Sequence, residues 1–276
     1  MLGQAEGLKQ IPKIISIVSG KGGVGKSLVA VNLSIAISKL SKKVLLYDID
    51  IGFGSVEILL GTSAKLTIKD YFQNKTGLDE IIVKTKYGID VISGGLDVED
   101  LVYFNIGNKE SLFKDFSRVI SEYDYIILDF PPGYNENLEN FYESSDFMVL
   151  ITTPEPTSLI NAYTFLKMMA IKGIDPSELH IVLNMVRDMK DARRCMDRFI
   201  GVIERFIGMS PSATHIMRFD SAVRKSVENQ KPFVFERKMV QPSLVIYRIA
   251  NMITKERKVK VKKSFLDKLK AFLGIG

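Results

Sequence analysis

Short apolar runs alternate with longer amphipathic stretches along the chain, the pattern of βαβ units feeding a parallel sheet. Lys13–Val18 reads as a first strand, Gly25–Leu40 as a helix and Lys43–Asp48 as a second strand. Ile89–Ile92, Tyr125–Asp129, Phe147–Ile151 and His180–Asn184 read as further buried strands, with helical periodicity over Lys109–Ser121, Thr157–Ile171 and Asp191–Ile207. A short strand near His215–Met217, a short helix from Asp220 and a longer helix over Val240–Thr254 follow. No internal repeat or Gly/Ser-rich linker interrupts the series. The expectation is a single α/β domain over residues 13–254, a doubly wound, mostly parallel sheet with helices on both faces. An N-terminal extension, 1–12, precedes it and a tail, 255–276, follows.

Composition changes the picture in two places. The 276 residues are 46% hydrophobic, enough for a substantial core, and the charged fraction of 25% excludes a disordered or fibrous chain. The single cysteine, Cys195, forms no internal disulfide, and the N-terminus carries no apolar signal segment. No apolar run approaches the roughly 20 residues that cross a bilayer, so a cytoplasmic protein is expected. The net charge of +6 belongs to the tail. From Lys255 onward eight basic residues face only Glu256 and Asp267, which accounts for the whole +6 and leaves residues 1–254 neutral.

The chemistry starts at the first strand–helix junction. The stretch from Gly20 to Ser27, Gly20-Lys21-Gly22-Gly23-Val24-Gly25-Lys26-Ser27, fits the phosphate-loop pattern G-x-x-x-x-G-K-[ST] between an apolar strand and a helix. Its glycines let backbone N–H groups wrap a polyphosphate, and the helix N-terminus adds partial positive charge. Lys26 then reaches the β- and γ-phosphates, and the Ser27 hydroxyl ligates Mg²⁺. The second strand ends in Asp48-Ile49-Asp50. Alternation lets both carboxylates emerge on one side at the C-terminal edge, where α/β sheets bind ligands. There a carboxylate can hold a water of Mg²⁺ or orient an attacking water; the alternative is that Asp48 and Asp50 cap the turn. Tyr125–Asp129 is an apolar strand ending in Asp before Phe130-Pro131-Pro132-Gly133, the Walker B form, with Asp129 binding a water on Mg²⁺. The two histidines, His180 and His215, lie in no metal-ligand spacing.

Lys21 inside the loop sharpens this. Lys-Gly-Gly-Val-Gly-Lys-Ser resembles the deviant Walker A motif of the MinD/ParA family of P-loop ATPases, and the resemblance runs over roughly residues 13–254. It includes Pro154-Glu155-Pro156-Thr157-Ser158 and Asp220-Ser221-Ala222-Val223-Arg224. It implies an ATPase that binds ATP and Mg²⁺ and forms an ATP-bound homodimer. Lys21 would cross the dimer interface to the partner's phosphates, where spacing alone allows a solvated loop lysine. Asp50 would position the hydrolytic water, with Asp48 nearer the metal. Asn184, ending Ile181-Val182-Leu183, resembles the family's adenine-recognising asparagine; a strand-end turn is the alternative. Phe130, Pro132 and Met185 depart modestly from the family pattern. One cysteine argues against the iron-protein and cluster-carrier branches, and a single phosphate loop against the tandem anion pumps.

The two ends bear on the branch. In the tail, Phe265, Leu266, Leu269, Phe272 and Leu273 form one apolar stripe at helical spacing, beside lysines. That is the character of an interfacial helix on an anionic membrane surface, with two tails gaining avidity in a dimer. A helix packing back on the core and a basic tail binding DNA are the alternatives; DNA is not the expected partner, since the core is neutral. Gln4-Ala5-Glu6-Gly7-Leu8-Lys9 resembles the D-Q-A-x-x-L-R segment of the flagellar-number regulators (the FlhG/FleN/YlxH branch), with Gly3 for Asp and Lys9 for Arg. That resemblance implies a signal-recognition-type flagellar GTPase and basal-body proteins as partners. The expectation is a slow, partner-stimulated ATP switch that is cytoplasmic and, when ATP-bound, peripheral on the inner face of the cell membrane. A division-site MinD, a ParA-type partitioning ATPase and a scaffold that binds nucleotide without hydrolysing it are the rivals.

Overall fold

Strand β1 (Lys13–Ser19) is buried along almost its whole length, which suits a central position covered on both faces. A computed structural model puts it there and describes residues 12–50, 54–73, 75–94, 109–176, 178–236 and 239–255. The strands that follow are β2 (Val44–Asp48), β3 (Ile82–Lys84), β4 (Asp90–Ile92), β5 (Tyr125–Asp129), β6 (Phe147–Thr152), β7 (Glu178–Val186) and β8 (Ala213–Arg218). They form one eight-stranded sheet in the order β3-β4-β2-β5-β1-β6-β7-β8. Every neighbouring pair is parallel except β3 with β4. The strand order reverses on either side of β1, so the crevice outside its C-terminal end is the switch point where α/β sheets hold ligands.

Helices α1 (Lys26–Ser38), α2 (Ser55–Leu60), α3 (Ile68–Phe72), α4 (Lys109–Ile120) and α5 (Glu139–Ser144) belong to the first part of the chain. The rest are α6 (Pro156–Ile171), α7 (Met189–Phe206), α8 (Ser221–Glu228), α9 (Phe233–Glu236) and α10 (Gln241–Lys255). Alternation along the strands splits the core into two layers. Val18, Leu128, Leu150 and Ile181 pack under Phe165 of α6 and Met196 of α7. Ile15, Ile127, Val149 and Val182 pack under Val29 and Leu33 of α1 and Ile246 and Ile249 of α10. Helix α1 is buried nearly all round because it lies between sheet and α10. Its buried Asn32 accepts the Val234 N–H of α9 at its side-chain Oδ1, at 3.0 Å.

The doubly wound, single-domain expectation holds, and each long predicted strand and helix is present with ends shifted by a few residues. Helices α2, α3, α5 and α9, of four to six residues, were not expected; none spans enough turns to show a helical period. The antiparallel edge β3 was missed for the same reason, having three residues. The Gln4–Lys9 segment and the tail stripe from Phe265 to Leu273 lie outside the described residues. Among the described residues no helix is long and apolar enough to cross a membrane.

Candidate nucleotide site

The loop between β1 and α1 is fixed at several points. Gly23 and Gly25 adopt φ of 76° and 91°, left-handed values that a side chain resists. Beyond its backbone, a Cβ on Gly25 would come within 2.5 Å of Asn184 Nδ2. Gly20 has an ordinary φ, but a Cβ there would lie 2.2 Å from the Asn161 backbone of α6. The first glycine is therefore required by the close pass of a helix, a reason that the loop pattern alone does not contain. Around Gly23 the space is open, and a Cβ on Gly22 would meet only Pro132 Cγ at an ordinary 3.9 Å, so it is this part of the loop that can receive a ligand.

Behind the loop, Lys26 and Asp129 form a buried ion pair, Nζ to Oδ1 at 2.6 Å, with side-chain exposures of 8% and 0%. Strands β2 and β5 bring Asp48 alongside Asp129 as register partners. The Asp48 carboxylate accepts from the Asp50 N–H at 3.2 Å and the Val56 N–H at 3.4 Å. It thus caps the turn after β2 while facing the site, so the two readings of Asp48 are compatible. Burial, with the Asp129 charge adding to it, pushes Asp48 up to about 7 against the pull of those N–H groups and Lys26. Burial also raises Asp129, opposed by Lys26 and the Ser27 side chain. Asp50 sits just past the strand, half-buried, near enough for its charge to be felt at Asp129.

Other predicted residues have contacts that the sequence did not suggest. Asn184 is buried; its amide donates to the Val24 carbonyl at 2.8 Å and its Oδ1 accepts the Met185 N–H. It pins the loop to the end of β7, and Met185 takes a positive φ of 58° beside it. Lys21 donates to Glu155 Oε2 at 2.9 Å and to Thr157 Oγ1 at 3.3 Å, both at the start of α6 in its own chain. Glu155 and Thr157 were not singled out as site residues. The signal was the Glu-Pro-Thr-Ser helix start, with Pro156 in the first turn. Ser158 anchors that start, bonding Thr152 Oγ1 and the Thr153 N–H.

These groups fit a magnesium nucleotide. Asp129 Oδ2 is buried without a hydrogen-bond partner, and the buried Asp48 carboxylate is its neighbour across the β2–β5 register. Carboxylate and hydroxyl oxygens of this kind suit a small hard cation that keeps its waters. The left-handed glycines and the N-terminus of α1 suit phosphate oxygens.

Comparison with known proteins agrees with this geometry. Residues 10–254 match the ParA family, described as NUBPL iron-transfer P-loop NTPase; this chain carries one cysteine, Cys195, half-buried on α7. The antiactivator FleN of Pseudomonas aeruginosa is 26% identical over 79% of this chain and 78% of its own. The flagellum site-determining protein YlxH of Helicobacter pylori is 31% identical over 83% of this chain and 75% of its own. The septum site-determining protein MinD of Pyrococcus horikoshii OT3, solved with Mg-ADP, superposes with a TM-score of 0.67 at 22% identity, over 91% of this chain and all of that one. With the family match running from residue 10 to 254, this chain belongs to the ParA/MinD family of P-loop NTPases, a family of ATPases, and flagellar regulators stand among its relatives.

Proposed function

We propose that this chain is an ATP-driven switch of the flagellar-regulator kind, soluble as a monomer and membrane-bound as an ATP-bridged homodimer. The observation that carries the nucleotide part is the buried Lys26–Asp129 pair beneath an open glycine loop, with Asp48 beside it. Lys26 exchanges its Asp129 partner for the β- and γ-phosphate oxygens of ATP. Ser27 would hold Mg²⁺, and Asp129 and Asp48 would hold it through water. The bound Mg²⁺–ATP supplies the phosphoanhydride bond that water cleaves. Asp50 orients that water, so positioning and electrostatics suffice without a covalent nucleophile. Lys21 leaves Glu155 and Thr157 to reach the nucleotide of the other subunit. Asn184 supports the loop and faces the base.

The relatives FleN and YlxH support a role in flagellar number or placement. The Gln4–Lys9 segment would engage a signal-recognition-type GTPase, and the stripe from Phe265 to Leu273 would lie on anionic lipid on the inner face of the cell membrane. Turnover is slow until a partner stimulates it.

The test combines light scattering and co-sedimentation on the full chain and on a truncation after Lys255, each with ADP and with ATP. ATP-dependent dimers that sediment with anionic vesicles, and lose the vesicles on truncation, support the reading. Monomers in both nucleotides overturn the switch. Binding to DNA that survives truncation, without vesicle binding, moves the chain to the partitioning reading.

A further inference from the structure

Helix α10 is two-faced, and its outer face has an unusual charge balance. Val245, Ile246, Ile249, Ala250 and Ile253 are buried against α1 and the sheet. The outer positions carry Leu244, Arg248 and Lys255, all exposed, with Leu244 showing 48% of its surface. Just before the helix, Met239 is 84% exposed, and Phe235 of α9 is 48% exposed. Residues 239–255 contain no aspartate or glutamate. The neighbouring acid, Glu236, is held by Lys231 at 3.2 Å. Among the described residues neither Arg248 nor Lys255 makes an ion pair.

Part of the patch is rigidly backed. Lys39, exposed at the end of α1, lies 4.9 Å from the Phe235 ring centroid and donates to the Val234 carbonyl and the Tyr247 hydroxyl. Tyr247 in turn donates to the Val234 carbonyl. Phe235, Lys39 and the middle of α10 are therefore tied into one surface. Large apolar side chains in solvent, interleaved with cations and with one carboxylate, Glu236, already paired to Lys231, match an anionic bilayer surface: the apolar groups enter the headgroup layer while lysine and arginine meet phosphate. Helix α10 also ends where the chain turns strongly basic, since Arg257, Lys258, Lys260, Lys262 and Lys263 follow it directly.

We infer that the α9–α10 face of the folded body is a second lipid-contact surface, lying on anionic headgroups beside the tail. This deepens the membrane reading proposed above and rests on it. Stable anchoring generally takes two signals, and here the second comes from the body, which sets the orientation of the nucleotide site relative to the membrane.

The chain has no tryptophan, so Leu244→Trp on the full chain gives a single reporter at the centre of the face. With ATP and phosphatidylcholine–phosphatidylglycerol vesicles its emission is expected to shift blue and to be quenched by brominated lipid. Arg248→Gln with Lys255→Gln is expected to weaken vesicle binding about fivefold per charge removed. The control Arg194→Gln, on α7 across the sheet, leaves binding unchanged. If the full chain sediments with vesicles while the tryptophan emission stays put and the double variant binds like wild type, the tail acts alone. The inference then fails and the membrane reading stands. If the full chain sediments with anionic vesicles in neither nucleotide, both fall. DNA binding that the double variant loses, without vesicle binding, assigns the face to nucleic acid and overturns the inference.

Discussion

Asp48 and Asp129 are register partners at the ends of adjacent parallel strands, two buried carboxylates with one buried lysine between them and the loop. Two such groups cannot both stay ionised cheaply without added positive charge. The site is accordingly least comfortable in the protein without nucleotide.

That discomfort has a measurable sign. Asp48, raised to about 7 in the folded chain, keeps a proton that the unfolded chain has lost between about pH 4 and 7. The stability that Asp48 contributes to the nucleotide-free protein therefore falls as pH rises through that window and levels off above it, opposing the histidine contribution described next. Three units correspond to about 4 kcal/mol as an upper figure. Relative to wild type, Asp48→Asn should gain stability progressively as pH rises through the window and keep that gain in mildly alkaline buffer. Urea titrations in EDTA across the window check this, and an unchanged slope refutes it.

A second pair acts in the opposite direction. His180 and His215 are buried and stacked, Nδ1 to Nε2 at 3.3 Å, on β7 and β8. Burial first, then the charges of His180 and Arg248, lower His215 to about 3, while an unfolded histidine titrates near 6.5. The unfolded chain thus binds the extra proton, and the stability this group contributes is present above about pH 6.5 and lost as pH falls below it. Going from neutral to about pH 5 should cost about 2 kcal/mol through His215. His215→Gln should shrink that acid limb without abolishing it, because burial lowers His180 as well, and should leave the Asp48 contribution intact; equal acid limbs in both proteins would count against it.

The Lys26–Asp129 pair is coupled. Removing one partner leaves an uncompensated buried charge, so Lys26→Met or Asp129→Asn alone should destabilise by about 3–5 kcal/mol. The double variant should cost clearly less than the sum of the two. Strict additivity in denaturant melts would show that the pair does not act as a unit.

Asp50→Ala should separate binding from turnover. Loss of a water-orienting carboxylate is expected to slow hydrolysis about a hundredfold or more while ATP-dependent dimers persist. Dimers that vanish with the activity would make Asp50 a structural residue of the turn.

Much of the site was legible because phosphate chemistry demands fixed residue types at fixed spacing: Gly25, Lys26, Ser27 and a carboxylate ending a strand, Asp129. The fold was legible from strands buried on both faces, such as Phe147–Thr152. What stayed hidden depends on long-range contacts. Nothing local to Lys21 announces Glu155, over a hundred positions away, nor does Val24 announce the Asn184 amide. The short helices α2 and α5 were hidden because they are held by tertiary packing of Val56, Leu60 and Phe141 rather than by a period of their own.

Gly20 leaves no room between the phosphate loop and the backbone of α6, and the start of α6 also grips Lys21. Loop and helix are therefore a single mechanical part, with no soft layer between them to absorb a displacement. A shift of the loop by a few tenths of an ångström must be taken up by the whole helix, because close-packed interiors transmit strain instead of dissipating it. The outer surface of α6, where Ile160 and Ile171 stand exposed, therefore moves with the phosphate loop rather than independently of it.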